Sequence, residues 1–170
     1  MSFYLYIMRH AKSDWSTGEP DFDRPLNKRG QKNAARMGQW LANNKHVPGQ
    51  VLCSSAARAR QTLDIVLESF PSFPGECIIH DRDLYLADMD TLLAKILLYR
   101  HAANSLLLVA HNPGLDYLVD MLSNSGLPRA ADGKLMTTAA LALLKYSDAD
   151  FNPGIDKPET MKLIRPRELD

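Results

Sequence analysis

Two short runs constrain this chain most. Phe3 to Met8 (FYLYIM) is apolar or aromatic at every position, and Ser105 to Ala110 (SLLLVA) is apolar after its first residue. Runs of this length bounded by polar residues read as strands, and unbroken apolarity marks strands covered on both faces. Each run stops at a histidine: Arg9-His10 follows the first and His111 the second. Open α/β sheets bind ligands in the crevice outside the carboxyl ends of their strands. A site is therefore expected where these two strands end.

The segments between and after them complete a sheet with helices. Asn27 to Asn43 reads as a helix capped by Asn27, with Ala34, Ala35, Met37, Gly38 and Leu41 as its apolar face. Val51-Leu52-Cys53 is a short strand, Ser54-Ser55 opens a helix to about Ser69, and Pro71 to Gly75 is a loop. Cys77 to His80 is a strand, and a helix follows from about Asp90 to Ala103. Asn112-Pro113 supplies an N-cap and a first helical position for a helix to about Ser123. Ala139 to Tyr146 and Glu159 to Ile164 read as a closing strand pair. Alternating strands and helices followed by two strands predict a single domain over 1–170. Its expected form is a three-layer α/β/α sandwich with a mostly parallel mixed central sheet.

Composition narrows the function classes. Among 170 residues, 45% are hydrophobic, enough for one core, while Lys plus Arg and Asp plus Glu are each 20. A formal net charge of zero argues against a nucleic-acid or polybasic membrane binder, whose affinity comes from counterion release. Cys53 and Cys77 are too few for a disulfide scaffold or a four-thiolate zinc site. No basic segment leads into an apolar stretch at the N-terminus, and no run reaches the roughly 18 apolar residues of a membrane span. The expected setting is reducing and cytoplasmic.

Four features fall at or just after predicted strand ends: Arg9-His10, Ser54-Ser55 followed by Arg58, the Leu84 to Asp90 loop, and His111. A parallel sheet brings them to one edge, where two arginines and two histidines suit a tetrahedral dianion. Guanidinium forks match phosphate oxygens better than an ammonium does. A neutral imidazole nitrogen is a competent nucleophile. A metal is the rival reading of paired histidines. Only Asp14 and Asp116 follow them at ligand-like spacing, however, and the arginines would repel a cation, so no metal and no cofactor is expected.

Arg9-His10-Ala11, Arg24-Pro25-Leu26-Asn27-Lys28-Arg29-Gly30, Ser54-x-x-x-Arg58-x-x-Gln61-Thr62 and Val109-Ala110-His111-Asn112 occur in that order. Together they resemble the histidine phosphatase, or phosphoglycerate-mutase-like, superfamily. The short length and Met136 to Ala140 resemble most its SixA-type phosphohistidine phosphatase branch. The resemblance implies that His10 is the nucleophile and that Arg9, Arg58 and His111 complete the phosphate pocket. It puts Ser16 near a phosphate-binding Asn of related mutases. The helix opening at Asn112 is expected to add backbone N–H groups and the positive end of its dipole. That end disfavours imidazolium while a bound dianion favours it, so sequence leaves the charge of His111 open.

Two departures from the pattern matter. Ala11 replaces the usual glycine, which is mild wherever that backbone needs no positive φ. The carboxylate that relatives place after the third strand is missing from Leu84-Tyr85-Leu86-Ala87, leaving Asp88 and Asp90 as nearby general-acid candidates. An alkoxide leaving group needs such an acid, whereas an imidazole leaving a phosphoramidate needs little help. The first expectation is thus a phosphatase acting on phosphohistidine in a protein. The alternatives are a small-molecule phosphomonoesterase using Asp88 or Asp90, and a binding module that kept the pocket without turnover.

Overall fold

The computed structural model describes residues 1–169. Six strands form one sheet: β1 (Phe3–Arg9), β2 (Gln50–Ser54), β3 (Ile78–Asp81), β4 (Ser105–Ala110), β5 (Leu141–Tyr146) and β6 (Thr160–Ile164). Their order is β3-β2-β4-β1-β5-β6. The first four are mutually parallel, and β5 and β6 run antiparallel at one side. Four α-helices cover the faces: α1 (Lys28–Asn43), α2 (Ala57–Leu67), α3 (Met89–Tyr99) and α4 (Gly114–Leu122). The expected three-layer α/β architecture is what the chain adopts.

The apolar runs divide their residues between two cores with period two, as the pleat requires. Phe3, Leu5 and Ile7 of β1 and Leu106, Leu108 and Ala110 of β4 pack with Leu92 and Ile96 of α3 and Leu115 and Leu118 of α4. Tyr6 and Met8, with Leu107 and Val109, pack on the other face with Met37 and Leu41 of α1 and Leu63 and Val66 of α2. Both faces are buried, which is why neither run alternates in polarity.

Element ends differ from the sequence expectations in ways that trace to tertiary pairing. Helix α1 begins as anticipated, with the Asn27 side chain accepting the Gly30 N–H at 2.8 Å. Helix α2 starts at Ala57 rather than Ser54, because Ser54 completes β2 and its hydroxyl accepts the Ala56 N–H. Helix α3 is capped by Asp88 and stops at Tyr99, short of Ala103; just ahead of β4, the Asn104 carbonyl already accepts from Tyr4 N–H at 3.0 Å. Helix α4 starts at Gly114 with Pro113 as its cap, one residue later than read from sequence. Strand β5 starts at Leu141, because Ala139 takes a left-handed φ of 63°.

Two glycines mark where backbones touch. A Cβ on Gly30 would lie 2.1 Å from the Lys12 carbonyl oxygen, and one on Gly114 would lie 2.1 Å from that of Ala87. The first contact presses the start of α1 against the chain leaving β1. Gly30→Ala is expected to lower stability by about 2 kcal/mol through overpacking, read as an earlier urea midpoint.

Candidate active site

The register of β1 against β4 pairs Arg9 with Ala110, so His10 and His111 leave the sheet side by side. Their ring centroids are 5.0 Å apart. The His10 backbone is clasped by both neighbours: its N–H donates to Ala110 O (3.2 Å) and its carbonyl accepts from Ala139 N–H (3.1 Å). The next strand over, β2, delivers α2 and with it Arg58, whose Nε–H donates to His10 Nε2 at 3.4 Å. Arg9 donates from Nη1 to Met136 O at 3.0 Å, and its Nε has no partner among the described residues. Arg9, His10, Arg58 and His111 thus line one cavity of about 330 Å³. Among the described residues, no group of three or more His, Cys, Asp or Glu could hold a metal ion.

Hydrogen bonds fix the chemistry of both rings. His10 Nδ1 lies 2.8 Å from Ala11 O, which can only accept, so Nδ1 carries the proton and Nε2 the lone pair. Ala11 stays outside the left-handed region, and its N–H donates to Thr62 Oγ1 at 2.9 Å, so the methyl group is accommodated. His111 Nε2 meets Ser54 Oγ at 2.7 Å, and its buried Nδ1 has no partner among the described residues. Among the described residues the Ser54 hydroxyl has no other acceptor. Donating to Nε2 therefore leaves fewer groups unsatisfied, and places an N–H at Nδ1, free for a ligand.

Burial, with the arginines adding to it, holds both imidazoles neutral. His10 lies well below the ordinary imidazole range, and His111 is pushed down to about 3, first by burial and then by Arg58. Below about pH 6.5 the unfolded chain binds protons there that the folded chain does not. This contribution to stability is complete above pH 6.5 and is lost as pH falls toward 3. The urea midpoint is expected to fall between pH 7 and 4.5, with a shallower slope in His111→Gln.

The loop between β1 and α1 arches over the cavity. Ser13 and Leu26 form an antiparallel bridge, and Leu26 N–H donates to Gln61 Oε1 at 2.8 Å. This strap brings in residues that the sequence had not singled out as ligands. The Asp21 carbonyl accepts from Arg58 Nη1 (2.6 Å), and its carboxylate accepts from Arg58 Nη2 (3.1 Å), Arg24 Nη1 (2.5 Å) and the Tyr85 hydroxyl. Those bonds, Tyr85 foremost, hold the Asp21 carboxyl far below the usual carboxylate range. Arg24 also stacks its guanidinium 3.7 Å over the exposed Trp15 ring. Tyr85 packs edge-on against His111, with centroids 5.5 Å apart. Asp21 opens a one-turn 3-10 helix, Asp21–Asp23, inside a Pro/Asp loop too short for any periodicity, so only the Arg24-Pro25-Leu26 motif beside it marked the place.

Four other candidates need correction. Ser16 is exposed, donates to Asp14 Oδ1 at 2.6 Å and does not line the cavity. Asp88 is exposed and accepts from Thr91 N–H at 2.9 Å as the α3 cap, while Asp90 is exposed in the first turn. Neither lines the cavity: Asp88 is spent on the α3 cap and Asp90 lies in its first turn. Asn112 does line it, but its Nδ2 hydrogens go to Asp116 Oδ1 (3.1 Å) and Met136 O (2.9 Å). What remains is Oδ1, an acceptor, the wrong polarity for phosphate. The helix end contributes less than expected too: Pro113 has no N–H, and Leu115 N–H returns to His111 O.

Comparison with known proteins identifies the family. The family described as "Histidine phosphatase superfamily (branch 1)" matches residues 5–84. An uncharacterized protein of Mycobacterium leprae is 34% identical, covering 94% of this chain and 100% of its own. A structure from Agrobacterium tumefaciens, assigned as the phosphohistidine phosphatase SixA, is 32% identical with a TM-score of 0.75, covering 84% of this chain and 90% of that one. A protein histidine phosphatase SixA complexed with tungstate gives a TM-score of 0.79 at 26% identity, covering 99% and 100%. The chain belongs to the histidine phosphatase superfamily, in its SixA-like branch.

Proposed function

We propose that this protein is a metal-independent phosphatase that takes a phosphoryl group onto His10 Nε2 and hydrolyses it, with phosphohistidine in a protein as its substrate. One observation carries the reading: His10 presents a lone pair at Nε2 with Arg58 beside it, inside a pocket that Arg9 and His111 complete. The SixA structure that holds tungstate, a tetrahedral oxyanion, supports a pocket of this shape.

In the first step Nε2 attacks phosphorus in line, the N–P bond forms and the bond to the leaving group breaks. Arg9, Arg58 and the Nδ1–H of His111 neutralise the equatorial oxygens, where the charge of the transition state lies. A leaving imidazole takes its proton from water at its second ring nitrogen and departs neutral, so no enzyme carboxylic acid is required. Asp21 is the carboxylate nearest the reaction, and its bonds keep it ionised. In the second step water attacks the phosphorus of phospho-His10 in line, its proton passes to solvent, and Nε2 regains its lone pair.

A phosphohistidine protein, a sugar phosphate and an aryl phosphate are to be compared with and without EDTA. The expected order places phosphohistidine first, with no effect of EDTA. Faster turnover of the sugar phosphate, or loss of activity in EDTA, would overturn the reading. Asp21→Asn supplies a further check, because its carboxylate holds the Arg58 Nη2 that a phosphate would use. Inhibition by inorganic phosphate should tighten roughly fivefold, the scale of about 1 kcal/mol for a partly exposed pair. Weaker inhibition would mean that Asp21 orients Arg58 instead of competing for it.

A further inference from the structure

A second cavity, of about 500 Å³, adjoins the first and shares Arg9, Lys12 and Thr138 with it. Its remaining charged walls come from the start of α1 (Arg29), from Asp132 and Lys134 before β5, and from Arg165, Arg167 and Glu168 after β6. Among the described residues, six cations line it against two carboxylates, in a chain whose formal net charge is zero. The two carboxylates are already matched: Asp132 with Lys134 at 3.6 Å and Glu168 with Arg165 at 3.0 Å. Lys12, Arg29 and Arg167 have no ion pair among the described residues.

The fold holds these cations in place. The close approach of Gly30 to Lys12, together with the Asn27 N–H donating to Lys12 O at 3.0 Å, fixes Arg29 beside the loop that leaves His10. Buried Arg165 donates to Leu135 O (3.2 Å) and Pro128 O (2.6 Å), anchoring the segment that carries Arg167. Unmatched like charges held close together repel one another and lower the cost of binding an anion there.

We propose that this cavity is a second anion subsite, which takes a carboxylate or phosphate carried by the same substrate as the scissile phosphoryl group. Arg9 lines both cavities, so a substrate reaching from one to the other passes along its guanidinium. Lys12, Arg29 and Arg167 supply the binding charge. On a phosphoprotein the second group is an acidic side chain near the phosphohistidine; on a small molecule it is a second phosphate. The inference rests on the phosphatase reading for the first pocket, but not on phosphohistidine as the substrate.

The test uses the full chain and Arg29→Ala/Arg167→Ala, two exposed residues outside the phosphate pocket. Two substrate pairs are compared: histidine-phosphorylated peptides with Glu or Ala close to the phosphohistidine, and a hexose bisphosphate against its monophosphate. The wild type should favour the doubly anionic member of one pair about tenfold in kcat/KM, the scale of one to two partly screened ion pairs. The preference should vanish in the double variant and shrink with added salt, while aryl phosphate turnover and the urea midpoint stay unchanged. The pair that shows it identifies the source of the anion. No preference in either pair, or a preference that survives the double variant, overturns the subsite. If nothing is turned over, the phosphatase reading fails, and calorimetric binding of hexose bisphosphate against monophosphate by the two proteins still decides the subsite.

Discussion

His10→Ala is expected to abolish turnover and covalent labelling from a phosphorylated substrate together, with a loss of about a thousandfold or more in kcat. Such a loss corresponds to about 4 kcal/mol of transition-state stabilisation. The ring is buried, its Nδ1 is tied to Ala11 O, and its backbone is held between β4 and the approach to β5. No other nitrogen takes its place, because His111 Nε2 is engaged by Ser54. Inorganic phosphate should still bind the variant, since Arg9, Arg58 and His111 remain. Retained labelling in His10→Ala, with the label mapped to His111, would reverse the assignment of the two histidines.

Arg58→Ala is expected to lower kcat/KM by about a hundred- to a thousandfold, the usual effect of removing a preorganised charged donor from a phosphoryl-transfer site. Both parameters should change: KM rises because phosphate loses a guanidinium, and kcat falls because the transition state loses it too. Arg58→Lys should recover only a small part, since an ammonium cannot reach His10 and the equatorial oxygens as one planar fork. Arg58 also anchors the Asp21 strap through its two Nη groups. Removing it should therefore raise protease cleavage between Asp14 and Pro25, and a cleavage rate equal to wild type would argue against the anchor. His111, by contrast, is held from below by Ser54, and its loss should leave the strap in place.

The strands of the sheet were readable because their burial is written in the chain. Ser105 to Ala110 is found over the residues expected, since a run covered on both faces has no polar position to blur its ends. The helix ends were less readable, and the reasons are specific. Ser54 reads locally as a helix opener, yet the sheet claims it and aims its hydroxyl at His111. Asn112-Pro113 reads as a helix start, yet the Asn112 side chain is drawn to Met136, a contact 24 residues away. In both cases a distant partner outweighs the local preference of a capping residue, which contributes roughly 1 kcal/mol.

Local sequence also marked Arg9, His10, Arg58 and His111 as candidates, because each sits at or near a strand end within a motif. It could not tell which further residues reach the same space. Asp88 and Asp90 are close in sequence to the place where an acid is missing, but they form the cap and first turn of α3 and do not line the cavity. Asp21, far from any strand end, is brought in by the strap.

By itself, then, the sequence determined a parallel sheet with two histidines at its carboxyl edge, since burial and strand length are local properties. Tertiary structure decided that the rings lie side by side, that His10 turns Nε2 toward Arg58 while Ser54 holds His111 at Nε2, and that Asp21 holds Arg58. Those outcomes depend on strand register and on hydrogen bonds between residues tens of positions apart, which no local pattern encodes.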